Sequence, residues 1–462
     1  MTTIPETNGF DNALQQRFAY FMKRFRVNRI LRSVNAAKEK GFPVYAVFVA
    51  LLGLVFTHRN LHALLSTNRE NLPFGKDVVY RFLRRQTVRW ELIVTLLSAE
   101  VIPEIRKLTS EKRRCVLIID DTPYYRNRSK DVEFLSRCYD HAEHRYYKGF
   151  TMLNMGWSDG QTFVPVDFRL LASGNDKNLL ECSQVAEDKR TIATKRRNDA
   201  RRDKPGLVLD MLKSAKGTPA EAQYVLFDSW FASPSSLLSI KALGYDVVAR
   251  LKNHENYRYL YDDETLSLSQ IYKMSKKRPG KSKYLLSVTI QVRHKDFDGT
   301  VAAKIVFVRD RNKRKNWIAL LSTDTKLSEE EIIELYGKRW DIEPFHKVLK
   351  SCLRLTKEFA LRSFDAIVAH AAIVLTRYIF LTLENRECKD QRTLGELFFL
   401  ICEELSDISF AAALALIIST LGQCLDDFLY LAKEQVSAFV KQFVGMLPAY
   451  IKDKMVIGVC ES

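Results

Sequence analysis

Paired cysteines are the first feature that this sequence lacks. None of its eight cysteines forms a C-x-x-C motif, and no secretory signal is recognisable. Together these absences predict a reduced chain in the cytoplasm. The cysteines are Cys115, Cys138, Cys182, Cys352, Cys388, Cys402, Cys424 and Cys460.

Long uninterrupted apolar runs are also missing. The two strongest candidates, Phe42–Phe56 and Ala369–Leu383, are too short or too interrupted to span a bilayer, and the second contains Arg377. We therefore expect both to form buried helices, and we expect no membrane partner. Internal repeats and low-complexity segments are absent as well, which argues against a repeat protein.

Acidic residues are fewer than basic ones. The 72 Lys and Arg residues against 55 Asp and Glu give a formal charge of +17 and a pI near 9.4, which favours a polyanionic partner. Residues 380–462 contain 12 acidic and 7 basic residues, a net charge of −5, so the first 379 residues carry +22. The polyanion is therefore predicted to bind the first four-fifths of the chain.

The pattern of residues 1–110 is mostly helical. A polar turn at Ser66–Lys76 separates the apolar segment Val44–Phe56 from a second predicted helix that contains several arginines. Short helices around such a turn are typical of helix-turn-helix-like DNA-binding regions. An ordinary basic helical bundle is the alternative. The cations concerned are Arg24, Arg26, Arg29, Arg32, Arg81, Arg84 and Arg85.

Two predicted strands end in aspartate. The run Cys115–Ile119 is typical of a strand buried on both faces, and Asp120 and Asp121 follow it directly. A second such strand, Tyr224–Phe227, ends at Asp228. Carboxylates at the end of a buried strand are costly unless a cation or hydrogen bonds compensate them, so both positions predict a site.

Further strands surround these two. Apolar and polar residues alternate in two further segments, Gly149–Ser158 and Thr162–Leu171. The Asp-Gly pair between them predicts a hairpin at the edge of a sheet. Asp246–Leu251 predicts another buried strand. Residues 252–316 contain alternating strands and basic loops, one of them at Arg311–Lys315, and are expected to form a β-rich insertion.

The segment 172–204 is polar and basic. Because acidic residues are sparse after Asp188, we interpret it as a phosphate-binding face rather than as a merely solvated helix. Its cations are Lys189, Arg190, Lys195, Arg196, Arg197, Arg201 and Arg202.

One predicted helix, which begins at a capping box formed by Ser328 and Glu331, carries an unusual polar face. That face lies within roughly 60° of arc and consists of Tyr336, Arg339, Glu343 and Lys350. An apolar stripe about 90° away, expected to be buried, consists of Leu335, Ile342 and Leu349. Pro344 predicts a kink or bulge beside Glu343.

Three carboxylates from distant positions, Asp120, Asp228 and Glu343, thus become candidates for one site. Hard divalent cations prefer oxygen ligands. Two such ions about 3.5–4 Å apart can hold both the attacking and the leaving oxygen of a phosphodiester. Any one of these acids alone is equally well explained as a loop or surface residue, but their combination in a chain of charge +17 favours metal-dependent chemistry.

The run from Tyr336 to Lys350 resembles the Y-R-E-K signature of the cut-and-paste DDE transposases of bacterial insertion sequences (the insertion sequence four superfamily). The resemblance covers roughly residues 115–352 and, more weakly, the N-terminal helices. It includes the order of the two aspartates and the flanking Arg339-Trp340, Ile342-Glu343 and Phe345-His346-Lys347.

This resemblance implies an α/β fold with an RNase H-like catalytic core, a β-rich insertion and helical N- and C-terminal regions. The expected regions are a helical DNA-binding region (1–110), the first part of the core (111–251), the insertion (252–316), the second part of the core with the signature helix (317–379), and a helical C-terminal region that is a candidate for dimerisation (380–462).

The resemblance also implies residue roles. Asp120, Asp228 and Glu343 would bind two Mg²⁺ ions, or Mn²⁺, with Asp121 as the alternative to Asp120. The residues implied to contact DNA are Tyr336, Arg339, Lys347, Lys350 and Trp317. Trp317 would stack on an extruded base, and packing in the core is its alternative role.

The implied activity is to cut transposon-end DNA and to join its 3′ ends to target DNA, by a homodimer in a paired-end complex near the bacterial nucleoid. A metal-dependent nuclease that does not join strands is one alternative. A non-catalytic DNA-binding derivative is another, which the three carboxylates argue against. A zinc enzyme built on His141 and His144 is a weak third, since no further ligand has recognisable spacing.

Overall fold

The computed structural model describes most of the chain between residues 12 and 446. The described residues are 12–38, 40–57, 61, 74–141, 143–181, 190–279, 282–310, 316–387, 393–399, 401, 402, 414, 418, 421 and 433–446. Arg311–Lys315, Lys189 and most of the predicted turn Ser66–Lys76 lie outside them.

Eleven strands in the described residues form one sheet. They are β1 (Val116–Tyr125), β2 (Ser136–Asp140), β3 (Arg145–Ser158), β4 (Phe163–Leu171), β5 (Tyr224–Phe227), β6 (Asp246–Leu251), β7 (Arg258–Tyr261), β8 (Glu264–Ser267), β9 (Leu286–Val292), β10 (Val301–Arg309) and β11 (Trp317–Ser322). Their order is β2-β3-β1-β5-β6-β11-β10-β9-β7-β8, and β4 pairs with β3.

The central five strands have the arrangement of an RNase H-like core. Strands β5 and β6 run parallel to β1, whereas β3 runs antiparallel both to β1 and to β4. The predicted fold class is therefore confirmed. The strands of the β-rich insertion do not form a separate sheet, because β11 pairs with β6 and β10 and β9 follow it outward.

The predicted hairpin is present as β3 and β4, and it lies at an edge of the sheet, because β4 pairs with β3 alone among the described strands. Strand β3 lies inside the sheet, and nearly every residue of β4 is buried. A helix covers β4, and its Ser98 donates a 2.9 Å hydrogen bond to the carbonyl of Pro165. From Gly149 onward, the polar residues of these two strands therefore face protein rather than solvent, whereas the first residues of β3 are exposed.

Thirteen α-helices lie in the described residues. They are α1 (Asn12–Arg24), α2 (Val27–Ser33), α3 (Val44–Gly53), α4 (Lys76–Leu83), α5 (Trp90–Lys107), α6 (Ile192–Asp199), α7 (Lys204–Ala215), α8 (Pro234–Ala242), α9 (Leu268–Met274), α10 (Glu329–Gly337), α11 (Ile342–Ser351), α12 (Phe364–Glu387) and α13 (Lys433–Met446).

Helix α12 is the core helix of the molecule. It is long and apolar enough to cross a membrane, but its apolar stretch is wholly buried within the protein, as in many globular cores. Arg377 is buried at its centre, where it donates to Glu358 and to the backbone carbonyls of Leu51 and Leu52. The prediction of a buried helix is confirmed, and the hydrogen bonds from Arg377 to Leu51 and Leu52 fasten helix α3 to the core.

The predicted phosphate-binding face around α6 is wrong for its two central arginines. Arg196 and Arg197 are only 5% and 3% exposed. Both form ion pairs with Asp365, and they also pair with Glu91 and Glu133 respectively. These carboxylates come from distant parts of the chain, so the basic local sequence does not indicate that the two arginines have acidic partners.

Arg85, proposed among the DNA-contacting arginines, also bonds to the protein. Its guanidinium donates to the backbone carbonyls of Asn35, Ala36 and Ala37. It therefore ties the end of α4 to the segment that follows α2.

Candidate active site

The register of two adjacent parallel strands brings Asp120 and Asp228 together. Ile118 of β1 pairs with Leu226 of β5, so the aspartates, each two residues further along, lie level with one another and on the same face of the sheet. Asp228 follows the last residue of β5 and accepts a 2.9 Å hydrogen bond from the backbone amide of Trp230.

Asp121 points to the opposite face, as the alternation of a strand requires. Its carboxylate forms an ion pair with Lys204 at the start of α7. The Lys204 ammonium also lies 4.3 Å from the centre of the exposed Trp230 ring. Asp120 and Asp121 therefore have different partners, although they are adjacent in sequence.

The signature segment reaches the sheet from a helix that is broken in the middle. The predicted capping box of Ser328 and Glu331 is present at the start of α10. A 3₁₀ turn, Lys338–Asp341, then separates α10 from α11, where Pro344 occupies the third position. The break lies one turn before the proline, whose ring would crowd the carbonyl of the residue four positions earlier.

This broken helix buries its predicted apolar stripe, Leu335, Ile342 and Leu349. The same turn directs Arg339 inward, where it is buried, while the neighbouring Trp340 is exposed. The Arg339 guanidinium lies 5.0 Å from the centre of the Trp340 ring and 6.0 Å from that of Tyr336.

Arg339 connects two of the three candidate carboxylates. Its Nη1 lies 3.4 Å from Oδ2 of Asp120 and 3.4 Å from Oε1 of Glu343. Although burial opposes the charged form, Tyr336, Asp120 and Glu343 raise the pKa of Arg339. One guanidinium thus gathers the carboxylate of β1 and the carboxylate of the signature helix.

The ionised form of Asp120 is poorly compensated in this arrangement. Burial and the neighbouring Asp121 raise the pKa of Asp120 to about 7, with a smaller contribution from Asp228, despite the opposing charge of Arg339. A buried carboxyl group with such a pKa favours binding of an additional cation.

Lys350 and Tyr336 lie on the same side of the molecule as these carboxylates. Burial lowers the pKa of Lys350, although Asp140, Glu143 and Glu343 partly offset this effect. The Lys350 ammonium is 5.7 Å from the ring centre of Tyr125, the last residue of β1. Burial likewise raises the pKa of the half-buried Tyr336. Lys347 is exposed.

Two polar residues of this site were given no role of their own from the sequence, although His346 lies in the flank of the signature. Asn154 of β3 lies opposite Asp120 and donates from Nδ2 to Nε2 of His346 over 3.2 Å. Burial lowers the pKa of His346 to about 3, so its imidazole is neutral at physiological pH. The sequence signal was a single polar residue within the apolar run of β3 and a histidine three positions after Glu343.

Trp317 is half-buried and contacts the insertion. Its ring stacks on Tyr272 at 5.0 Å between ring centres and packs edge-on against Phe307 at 4.9 Å. It begins β11, which is antiparallel to β6, and therefore lies at the same end of the sheet as the ends of β5 and β6. Two strands, β5 and β6, separate β11 from β1.

The donor set fits a hard divalent cation by its chemistry. All three candidate ligands are carboxylates, and the buried Asp120 lacks full compensation. Within the described residues, no three His, Cys, Asp or Glu side chains are close enough together to hold one ion as the site stands. Arg339 contacts the carboxylates of both Asp120 and Glu343 instead. Among the described residues, His141 and His144 likewise do not belong to a group of three potential zinc ligands.

A comparison with known protein families identifies the family of this chain. The family described as DDE superfamily endonuclease matches residues 54–314, more than half of the chain, and the chain therefore belongs to that family. Its members act on DNA and use divalent metal ions. The matched segment contains Asp120 and Asp228 and ends before Glu343. A comparison with curated proteins gives no match.

Proposed function

We propose that this DDE superfamily endonuclease is a transposase of the insertion sequence four type. It would bind the ends of its insertion sequence, cut them and join the 3′ ends to target DNA. The observation that carries this proposal is the gathering of Asp120 and Glu343 around Arg339, with Asp228 level with Asp120 on the next strand. The Y-R-E-K spacing of the segment from Tyr336 to Lys350 also supports the proposal.

In this proposal Asp120, Asp228 and Glu343 hold two Mg²⁺ ions, for which Mn²⁺ is a substitute. Such ions, when bound, activate the attacking oxygen and stabilise the leaving oxygen of a phosphodiester. Asp120 must lose its proton to serve as a ligand, because only the carboxylate binds a hard cation effectively. Its raised pKa makes that proton loss sensitive to pH near neutrality.

The proposed roles of the neighbouring cations follow from their positions. Arg339 lies between Asp120 and Glu343 and partly compensates their charges, and it can turn its donors toward a DNA phosphate once those carboxylates have other partners. Lys350 is partly desolvated, which strengthens its attraction for a phosphate. Tyr336 and Lys347 extend this surface, and Trp317 offers an aromatic face at the same end of the sheet.

We further propose that two copies act together on paired ends, as a bacterial cytoplasmic protein associated with the nucleoid. Helix α13 is a candidate contact between copies, because it exposes large apolar side chains such as Phe439 and Met446. Phe439 and Met446 lie on one face of α13, because seven residues make about two helical turns, and this face is the proposed contact.

A nuclease that cuts without joining strands is the second candidate, and the description of the matched family favours it. The two functions are separated by incubating the protein with Mg²⁺, labelled DNA that carries the ends of its own element, and a target plasmid. Label covalently joined to the plasmid is expected for a transposase. Cleaved ends without any joined product would instead identify a nuclease.

A further inference from the structure

A two-stranded ribbon projects beyond the end of β1. It consists of β2 and the first residues of β3, in which Tyr139 pairs with Tyr146 and Arg137 pairs with Lys148. These four side chains share one face of the ribbon, because residues two apart in a strand lie on the same side. All four are exposed, whereas Tyr147, on the other face, is buried.

The exposed face carries a continuous series of rings and a cation. The ring centres of His141 and Tyr139 are 5.0 Å apart, and those of Tyr139 and Tyr146 are 5.1 Å apart. The Arg137 guanidinium lies 4.2 Å from the centre of the Tyr146 ring. We call these four residues the ribbon ladder.

The ribbon ladder is fixed in position relative to the candidate active site. The hydroxyl of Tyr125 donates a 2.6 Å hydrogen bond to Asp140, which also accepts from the amide of Glu143. Tyr125 ends β1 five residues after Asp120, roughly 17 Å along a strand, and its ring contacts Lys350. A DNA strand held at the carboxylates and at Lys350 therefore continues toward the ribbon ladder.

Exposed tyrosines beside an arginine have a specific use on a protein that acts on DNA. Aromatic and guanidinium planes stack on bases, but the bases of an intact duplex are already stacked on one another. Phosphate binding alone would require cations and no rings. The composition of the ribbon ladder therefore fits unpaired nucleotides better than it fits a duplex.

We propose that the ribbon ladder binds unpaired bases of the DNA strand that flanks the cleavage point. This assignment rests on the proposed action on DNA and adds a binding site for single-stranded DNA to it. It also accounts for His141, which a metal-binding role left unexplained.

The test compares two DNA probes by fluorescence anisotropy in Mg²⁺-free buffer. One is a blunt duplex that carries an end of the element, and the other is the same duplex with a short single-stranded extension. We expect the extension to tighten binding by the wild-type protein about tenfold, since stacking contributes about 1–3 kcal/mol per base. Tyr139→Ala/Tyr146→Ala should lose this gain while binding the blunt duplex as before.

Tyr139→Phe/Tyr146→Phe is the matched control, because it keeps both rings and should keep the gain. Both tyrosines are exposed, so the double alanine variant should fold. If the circular dichroism spectrum of the double variant is altered, Tyr146→Ala alone replaces it in the test. An alanine variant that keeps the gain, or a wild-type protein without one, would overturn the proposal. Failure of the wild type to bind even the blunt duplex would overturn the proposed function instead.

Discussion

The guanidinium of Arg339 lies 3.4 Å from the carboxylate of Asp120, although 219 residues separate them in the chain. The same nitrogen lies 3.4 Å from Glu343. A single cation thereby links the first strand of the core to the signature helix. Two of the three candidate carboxylates are thus linked by Arg339, which belongs to the same signature as Glu343.

Metal binding is predicted to depend on pH through Asp120. With a pKa of about 7, this carboxyl group is largely protonated at pH 6 and largely ionised at pH 8. Because the ligand must be ionised, Mn²⁺ should bind about tenfold more tightly at pH 8 than at pH 6. Titration calorimetry or Mn²⁺ paramagnetic resonance measures this difference, and Asp120→Asn should abolish it.

The same group has the opposite effect on the stability of the metal-free chain. Its folded-state pKa lies above its ordinary value of 3.8, so the folded state binds the proton more tightly than the unfolded state does. The contribution of Asp120 to the free energy of unfolding should therefore decrease as the pH rises from about 4 to 7. A wild-type curve that follows the Asp120→Asn curve across this range would contradict the assignment.

Arg377→Met is predicted to be strongly destabilising. It removes one partner of a fully buried ion pair and leaves Glu358 without its main counter-charge, which typically costs 3–5 kcal/mol. Urea unfolding measures the change in the free energy of unfolding. Arg114→Met is the matched control, because the pair of Arg114 with Glu331 is exposed and should contribute less than about 1 kcal/mol.

Acid should weaken the same pair. Burial opposes ionisation of Glu358, but Arg377 and His370 outweigh it and lower the pKa of Glu358 to about 2. The stabilisation is therefore complete above the ordinary glutamate pKa of 4.5 and is lost as the pH falls toward 2. A destabilisation by Glu358→Gln that is as large at pH 3 as at pH 7 would argue against this account.

DNA binding is predicted to weaken steeply as salt is added and to require the first 379 residues, which carry +22. Each phosphate that a cation neutralises contributes close to one unit to the slope of log affinity against log salt concentration. Anisotropy titrations at several salt concentrations give this slope. A flat dependence, or full binding by residues 380–462 alone, would contradict the prediction.

The C-terminal region is predicted to pair two copies on two DNA ends. A chain that ends at Cys402 keeps Phe398, which packs on Phe56 at 5.5 Å between ring centres, and loses helix α13. It should bind a single end normally but fail to form the paired-end complex. Gel shift followed by light scattering measures both properties, and assembly of two truncated copies on two ends would refute the role.

The sequence predicted the features that depend on local patterns. Buried runs followed by aspartate located β5 and the first half of β1, and capping-box spacing located the start of α10. The predicted end of the first strand at Asp120 is wrong, because β1 continues to Tyr125. The polar face of the signature helix also placed Arg339 and Glu343 together. Each of these patterns depends on hydrogen bonding or burial of residues that are close in sequence, so it can be recognised without knowledge of the fold.

Long-range partners account for what the sequence did not predict. Arg196 and Arg197 appeared to be surface cations because Asp365, which neutralises both, lies more than 160 residues away. The same reason hid the pairing of Asn154 with His346. Nor does the alternating pattern of the insertion reveal that its strands join the core sheet through β11.

The central claim is that Asp120, Asp228 and Glu343 form one metal-dependent site, and the most direct measurement is cleavage of DNA that carries the ends of the element. With Mg²⁺ the wild-type protein should cut, whereas Asp120→Asn, Asp228→Asn and Glu343→Gln should each abolish cleavage while retaining end binding. Asp121→Asn, which alters the adjacent carboxylate that pairs with Lys204, should cleave nearly normally. Cleavage within about tenfold of wild type by any of the three site variants would contradict the claim.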